Sequence, residues 1–479
     1  MTTSTATSRA TATPFVPGTV LVTGATGYIG GLLVPRLLDE GWTVRVLTRS
    51  ADKLGAHDWG DRVEVVEGDA TSGDDLRRAL SGTDVAYYLV HSMDGGGDLA
   101  RRDRELAEGF ATAATDEGVS RIVYLGGLHP EDADLSVHLA SRVEVGQVLL
   151  DAPVPAAVLQ AAVVLGDGSV SFDMLRYLTE RLPAMVAPQW LRNRIQPIAV
   201  DDALHYLVGA ARLPEDVNRT FDIGGPEVLT YEQMIQRFAA VNGLHRRLIV
   251  GVPVLTPWLA SHWVGIITPV AADVAKPLVG SLVHEVVRRE QDLDELVGLP
   301  AQGLIGFDDA VRRAMRTAQP DHVLRDVLTV TAATIASAAT GGVATQPDSR
   351  WYRSLDLPSW QPPALAFPLV WTPLYADIAA SSVATLARLE AEGRSDEAAA
   401  YRRALWVNLV LNTGWSVVFW RVRRTRLAAL EAGVLAVSSA DLARRAAAAG
   451  GRGRWALVPY AAWTAFATAL STAIARRNR

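Results

Sequence analysis

Apolar residues follow two rhythms over the first 130 positions: short runs that suit buried strands, and longer stretches with one apolar face. Val20–Val22 is a short apolar run that enters Gly24–Ala25–Thr26–Gly27–Tyr28–Ile29–Gly30, and an amphipathic stretch continues to about Glu40. The pattern then repeats. VRVLTRS (44–50), VEVVEGD (63–69), DVAYYLV (84–90) and RIVYLGG (121–127) read as strands two to five, with a helix over about 98–117. Strands apolar on both faces that alternate with helices predict a doubly wound parallel α/β sheet. PAAVLQAAVV (155–164) reads as strand six, and TFDIGG (220–225) as a short strand. In Pro188–Asp202 an extended QPI precedes Asp201 or Asp202, the expected cap of a helix over 203–212. Residues 248–270 are uncharged apart from one His but hold three Pro and two Gly, so they predict the lining of a greasy cleft rather than a spanning helix.

After about residue 320 the pattern changes to long uncharged runs. Trp351–Tyr375 packs three Trp, two Tyr and five Pro around such a run, and no residue from 357 to 376 is charged. That is about the 20 residues a spanning helix needs. Five membrane segments are expected: Val327–Gln346, Ala364–Leu386, Ala404–Trp420, Leu427–Ala443 and Trp455–Ala475. The fourth contains Glu431 and Asp441, and the second contains Asp377. In the third, Asn408, Asn412 and Trp415 share one helix face, a polar stripe that belongs inside a bundle.

Composition narrows the choices. The 479 residues carry a net charge of −6, against a nucleic-acid partner, and no Cys, which excludes disulfides and thiolate metal sites. Eight of the 13 Trp lie at or after residue 351, which marks a domain boundary near 320. The expected organisation is a disordered Ser/Thr/Ala-rich tail (1–17), a soluble domain (18–320, substrate lobe mainly within 165–320) and a membrane domain (325–479). Arg counts in opposing loops, eight against six, barely orient the bundle. Cofactor supply sets the soluble domain in the cytoplasm and the protein in the cell membrane.

The glycine turn carries the clearest chemistry. With a strand before it and a helix after it, Gly24 permits the tight turn, Gly27 lets the main chain approach a pyrophosphate, and Gly30 lets helix and strand pack closely. Thr26, Tyr28 and Ile29 complete the cofactor loop at the helix N-terminus. Arg49 and Ser50 end strand two where an NAD site usually has an acid, which favours NADP(H) over NAD(H). Asp69 and Ala70 after strand three are expected beside the adenine, and Val90 and His91 after strand four beside the nicotinamide.

The turn, the Gly-Asp after strand three and this element order resemble the extended and atypical short-chain dehydrogenase/reductases over about 18–320. The resemblance implies a Rossmann domain whose chemistry uses a Ser after strand five and a Tyr-x-x-x-Lys pair on the next helix. This chain has Gly126 and Gly127, then His138 and Arg142, at those positions. His138 is the candidate proton donor, Arg142 the candidate ribose or phosphate anchor, and His91 a further catalytic candidate. A helix face without catalysis is the competing reading.

Trp351–Tyr375, Asn408–Phe419 (NLVLNTGWSVVF) and Val458–Leu470 (VPYAAWTAFATAL) together resemble the TspO/translocator family of tryptophan-rich five-helix membrane proteins, over about 325–479. The resemblance implies a bundle that binds porphyrin-, isoprenoid- or sterol-like molecules and forms a homodimer through the membrane. Trp351, Trp360, Trp371, Asn412, Trp415, Tyr460 and Trp463 are the candidates to line or close its cavity. The chain departs at Leu365, where relatives often have Trp, and at Ser471, where they have Asn. The reading that follows is a membrane-tethered NAD(P)H-binding oxidoreductase-like protein, with a non-catalytic NADPH and ligand sensor as the alternative.

Overall fold

The computed structural model describes residues 16–90, 99–130, 135–252, 268, 270, 279–280, 283–318, 323–451, 453 and 455–478. The expected tail up to residue 15, His91 and the 253–267 part of the expected cleft lining lie outside the described residues. The chain divides into two compact units, Met1–Gln319 and Pro320–Arg479.

In the first unit, β1 (Thr19–Thr23), β2 (Thr43–Thr48), β3 (Glu64–Glu67), β4 (Val85–Tyr88), β5 (Arg121–Gly127), β6 (Ala156–Ala161) and β7 (Arg219–Ile223) form one parallel sheet. Their order is β7-β6-β5-β4-β1-β2-β3. Both faces are covered. Val20 and Val22 of β1 enter a core with α1 (Tyr28–Asp39) and α6 (Val200–Ala210). Leu21 between them enters another with α2 (Gly73–Leu80), α3 (Leu99–Asp116) and α4 (Val137–Leu150). Such two-sided burial is why the strands read as near-continuous apolar runs.

A third core holds the lobe expected to carry the substrate, built from α5 (Val170–Arg181), α7 (Tyr231–Val241) and α8 (Phe307–Thr317) around Phe172, Met234, Phe238 and Phe307. The cap expected at Asp201 or Asp202 is not one. Helix α6 starts at Val200 after Ala199. Asp201 instead pairs with Arg36 and Arg313, and buried Asp202 accepts the Ile305 N–H at 2.8 Å. Burial raises the pKa of Asp202, against the pull of that hydrogen bond.

The second unit is helical: α9 (Val323–Ala344), α10 (Ala366–Ala391), α11 (Ser395–Val417), α12 (Thr425–Ala449) and α13 (Val458–Arg477). Among the described residues, only α9 is long and apolar enough to cross a membrane by mean hydropathy alone. The other helices are inside-out. Helix α12 exposes Leu427, Leu430, Val434 and Val437, spaced for one face, while Ser439 is fully buried. Helix α11 exposes Trp406, Val407 and Val410 and buries Asn408 and Asn412. Polar side chains turned inward lower the hydropathy average without meeting lipid. Asp441 pairs with Arg444 and Arg445 near the end of α12, and Asp377 accepts the Ser381 hydroxyl at 2.8 Å.

Candidate functional site

In the first unit the site forms where the strand order reverses, at the carboxyl ends of β1 and β4. The Thr23 hydroxyl ties those ends together, donating to Tyr87 O at 2.8 Å and accepting from Leu89 N at 3.3 Å. The next residue, Gly24, has φ +73°, and a Cβ there would stand 2.6 Å from Leu89 O. At Gly30 a Cβ would stand 2.3 Å from Gly24 O and 2.8 Å from the Ala25 Cα. Both contacts are with main chain, so only glycine fits at either position. Gly27 caps α1 without a side-chain bond, no acid occupies the first turn, and Thr26 and Gly27 are exposed. An open, acid-free helix N-terminus is an anion site.

What Tyr28 and Ile29 offer that turn is main-chain N–H. The Tyr28 ring packs on Gly168, with its hydroxyl near Gly166. The hydroxyl is buried without a partner among the described residues, and burial, then Asp167, raises its pKa.

Arg49, at the end of β2, is exposed and has no hydrogen-bond or ion-pair partner among the described residues; Ser50 follows it as the cap of a short 3-10 turn. After β3, Asp69 Oδ1 accepts the Thr71 N–H and hydroxyl, both at 2.9 Å. Those bonds, main-chain first, hold its pKa below the usual range, with Arg49 adding to the effect. Ala70 and Val90 are half-buried at their strand ends.

At the end of β5 a Cβ on Gly127 would meet Leu139 Cδ1 of α4 at 2.8 Å. Gly127 thus lets α4 close on the strand, whereas a Cβ on Gly126 would meet the Tyr124 ring at 3.2 Å. The buried Tyr124 hydroxyl donates to Arg142 O at 3.3 Å, while Arg142 Nε is buried without a partner among the described residues. Burial raises the Tyr124 pKa, opposed by the Arg142 charge. His138 lies in the first turn of α4; its side chain is outside the described residues. A histidine outside the sequence motifs, His129, holds Nδ1 at 3.2 Å from Gly127 O. A carbonyl only accepts, so Nδ1 carries the hydrogen and Nε2 is the nitrogen left for other partners.

In the second unit a cavity of about 590 Å³ opens among α9, α10, α11, α12 and α13. Trp371, Asn412, Trp415 and Trp463 line it, as do Gln361, Phe367, Phe419 and Phe466. Trp351 and Trp360 stand behind the lining, edge-on to Phe419 at 5.5 Å and to Phe466 at 5.9 Å. Tyr460 is fully buried: its hydroxyl donates to Asn408 Oδ1 at 2.7 Å and accepts from Asn412 Nδ2 at 3.3 Å. Asn412 Oδ1 takes the Tyr375 hydroxyl at 2.7 Å, so this amide is spent on the bundle. Three polar atoms of lining residues, Trp415 Nε1, Trp463 Nε1 and Gln361 Oε1, are buried without a partner among the described residues. Tyr352 orients Gln361 by accepting from its Nε2 at 2.8 Å.

Residues 24–162 match the NAD(P)H-binding family model, and residues 328–477 match the TspO/MBR family model. The C-terminal unit belongs to the TspO/MBR family, and the N-terminal unit is an NAD(P)H-binding domain. The ceramide reductase of Caulobacter vibrioides is 30% identical over 247 residues, 48% of this chain and 73% of that protein. The tryptophan-rich sensory protein of Cereibacter sphaeroides is 35% identical over 154 residues, 32% of this chain and 90% of that protein. In fold, the triphenylmethane reductase of a Citrobacter species aligns with a TM-score of 0.50 at 19% identity, over 62% of this chain and 100% of that one.

The chain is therefore a fusion of a reductase-like nicotinamide-binding domain and a TspO membrane domain. In the TspO unit, the Pro-rich 351–375 signature pointed to the Trp residues but not to Gln361. Its neighbours Trp360 and Pro362 carried that signal instead. Glu431, which made α12 hard to read, tucks its carboxylate against Gly414, where a Cβ would stand 3.0 Å from Oε1. Both its oxygens are buried without a partner among the described residues.

Proposed function

We propose that this protein is a membrane-tethered NADPH-dependent reductase of a hydrophobic substrate of the tetrapyrrole, isoprenoid or sterol-like class, which the TspO unit binds or delivers. The observation that carries the reading is the pairing, in one chain, of a glycine cradle that any side chain would fill with an aromatic-lined cavity of about 590 Å³. The aromatic lining of that cavity, Trp371, Trp415, Trp463, Phe367, Phe419 and Phe466, suits a ligand with a large apolar body.

In this reading Gly24, Gly27 and Gly30 with the open first turn of α1 hold the pyrophosphate. Arg49 and Ser50 take the 2′-phosphate, Asp69 and Ala70 face the adenine, and Val90 and His91 border the nicotinamide. NADPH supplies a hydride. His138 delivers the proton and Arg142 anchors the ribose. All five long helices cross the bilayer, with the N-terminal unit on the cytoplasmic side, where NADPH is available. The sensor reading keeps a specific support: no Tyr-x-x-x-Lys pair follows β5.

Transfer of label from 4-labelled NADPH into a lipid extract separates the two readings. A labelled lipid product supports the reductase; tight binding without transfer makes the protein a sensor. For cofactor choice, Arg49→Asp is expected to weaken NADPH binding at least tenfold, about 1.4 kcal/mol, and NADH binding far less. Equal losses in a fluorescence titration remove Arg49 from the 2′-phosphate site.

A further inference from the structure

The substrate lobe carries a two-stranded parallel ribbon, Ala184–Pro188 paired with Leu248–Val252. In its register Ala184 stands beside Leu248, Met185 beside Ile249 and Val186 beside Val250. Met185 and Ile249 face inward and pack on the lobe core. The opposite face is Ala184, Val186, Leu248 and Val250, all exposed, the three larger ones at 59, 63 and 50%. A ribbon with one face on a core normally turns polar side chains to water. Here the outward face is wholly apolar, and cationic side chains stand at its rim. His245 and Arg246 are exposed just before Leu248, and Arg192, whose guanidinium also pairs with Glu232 at 3.4 Å, places a nitrogen 3.9 Å from where a Cβ on Gly251 would stand.

We propose that this ribbon is a membrane-contact surface, which rests its apolar face at the lipid headgroup boundary while the basic rim meets lipid phosphates. An apolar face with cations around it is the pattern of an interfacial element, because the side chains enter the acyl boundary and the charges stay at the phosphates. The unit that carries the ribbon is joined covalently to the TspO unit, α8 ending at Thr317 and α9 beginning at Val323. A second copy of the chain is the weaker occupant. Four small side chains fall well short of the roughly 800 Å² per partner of a stable protein interface. The contact rests on the TspO unit being in the membrane and not on hydride transfer, so it stands or falls apart from the reductase reading.

The test uses the full-length protein in phospholipid nanodiscs. The chain has no Cys, so Val186→Cys and Val250→Cys each present a single thiol for a nitroxide spin label. Ala184→Cys serves if either variant fails to fold, and Ser81→Cys, at an exposed helix end, is the aqueous reference. Collisions with oxygen and with a water-soluble nickel chelate are then measured. The expected result is retention of oxygen collisions and loss of nickel collisions at the ribbon but not at Ser81. Nickel collisions equal to those at Ser81 mean that the ribbon faces water and overturn the proposal. Loss of both means that protein covers it, either residues 253–282 of this chain or a second copy, and overturns it equally.

Discussion

Gly30→Ala is expected to lose NADPH binding roughly ten- to a hundredfold, equivalent to about 1–3 kcal/mol, the usual cost of overpacking a closed site. The added methyl would stand 2.3 Å from Gly24 O and 2.8 Å from the Ala25 Cα, and neither is the tip of a flexible side chain. Relief requires opening the turn that presents the helix N-terminus. Gly31→Ala is the control one residue along, because its Cβ meets nothing closer than 3.5 Å. Isothermal titration with NADPH compares the two, and thermal melting of each variant separates lost binding from lost folding. Unchanged affinity in a folded Gly30→Ala protein would show that the turn is not the phosphate cradle.

Arg402→Ala is expected to have the largest effect on the TspO unit. Arg402 grips Asp326 with two bonds, at 3.1 and 2.7 Å, and also pairs with Glu390. It thereby joins α9, α10 and α11 at one end of the bundle. Asp326 is 2% exposed, so removing the guanidinium leaves a buried carboxylate with only the Arg325 contact at 3.9 Å. Breaking such a pair from one side costs about 3–5 kcal/mol. Chemical unfolding in detergent, followed by the tryptophan fluorescence of the bundle, reads the loss. Arg394→Ala is the matched control: it also removes two carboxylate contacts, Glu392 and Glu397, but at the surface, where water replaces them. Equal destabilisation by both substitutions would mean that burial of Asp326 does not matter.

The residue pattern alone determined the strands of the sheet and the glycine turn. A strand buried on two faces and a helix N-terminus built from Gly24, Gly27 and Gly30 are local arrangements, decided by side-chain periodicity and by φ/ψ freedom within a few residues. Strand five was legible to the residue at Arg121–Gly127 for that reason. The start of α6 was not, since the aspartates that resemble a cap are claimed by Arg36, Arg313 and Ile305, up to 165 positions away. The same holds at α4, where Gly127 answers to Leu139 and not to its own strand. Helix α12, expected as the fourth membrane segment in spite of Glu431 and Asp441, turns Leu430 and Val437 outward and Glu431 against Gly414. In the cavity, Trp371 and Trp463 were visible as signature residues, but whether Asn412 could recognise a ligand depended on Tyr375 and Tyr460. A hydrogen bond spent between helices cannot be read from either helix alone. Which polar atoms remain for a ligand is a property of the packed bundle, because each atom's partner comes from a different part of the chain.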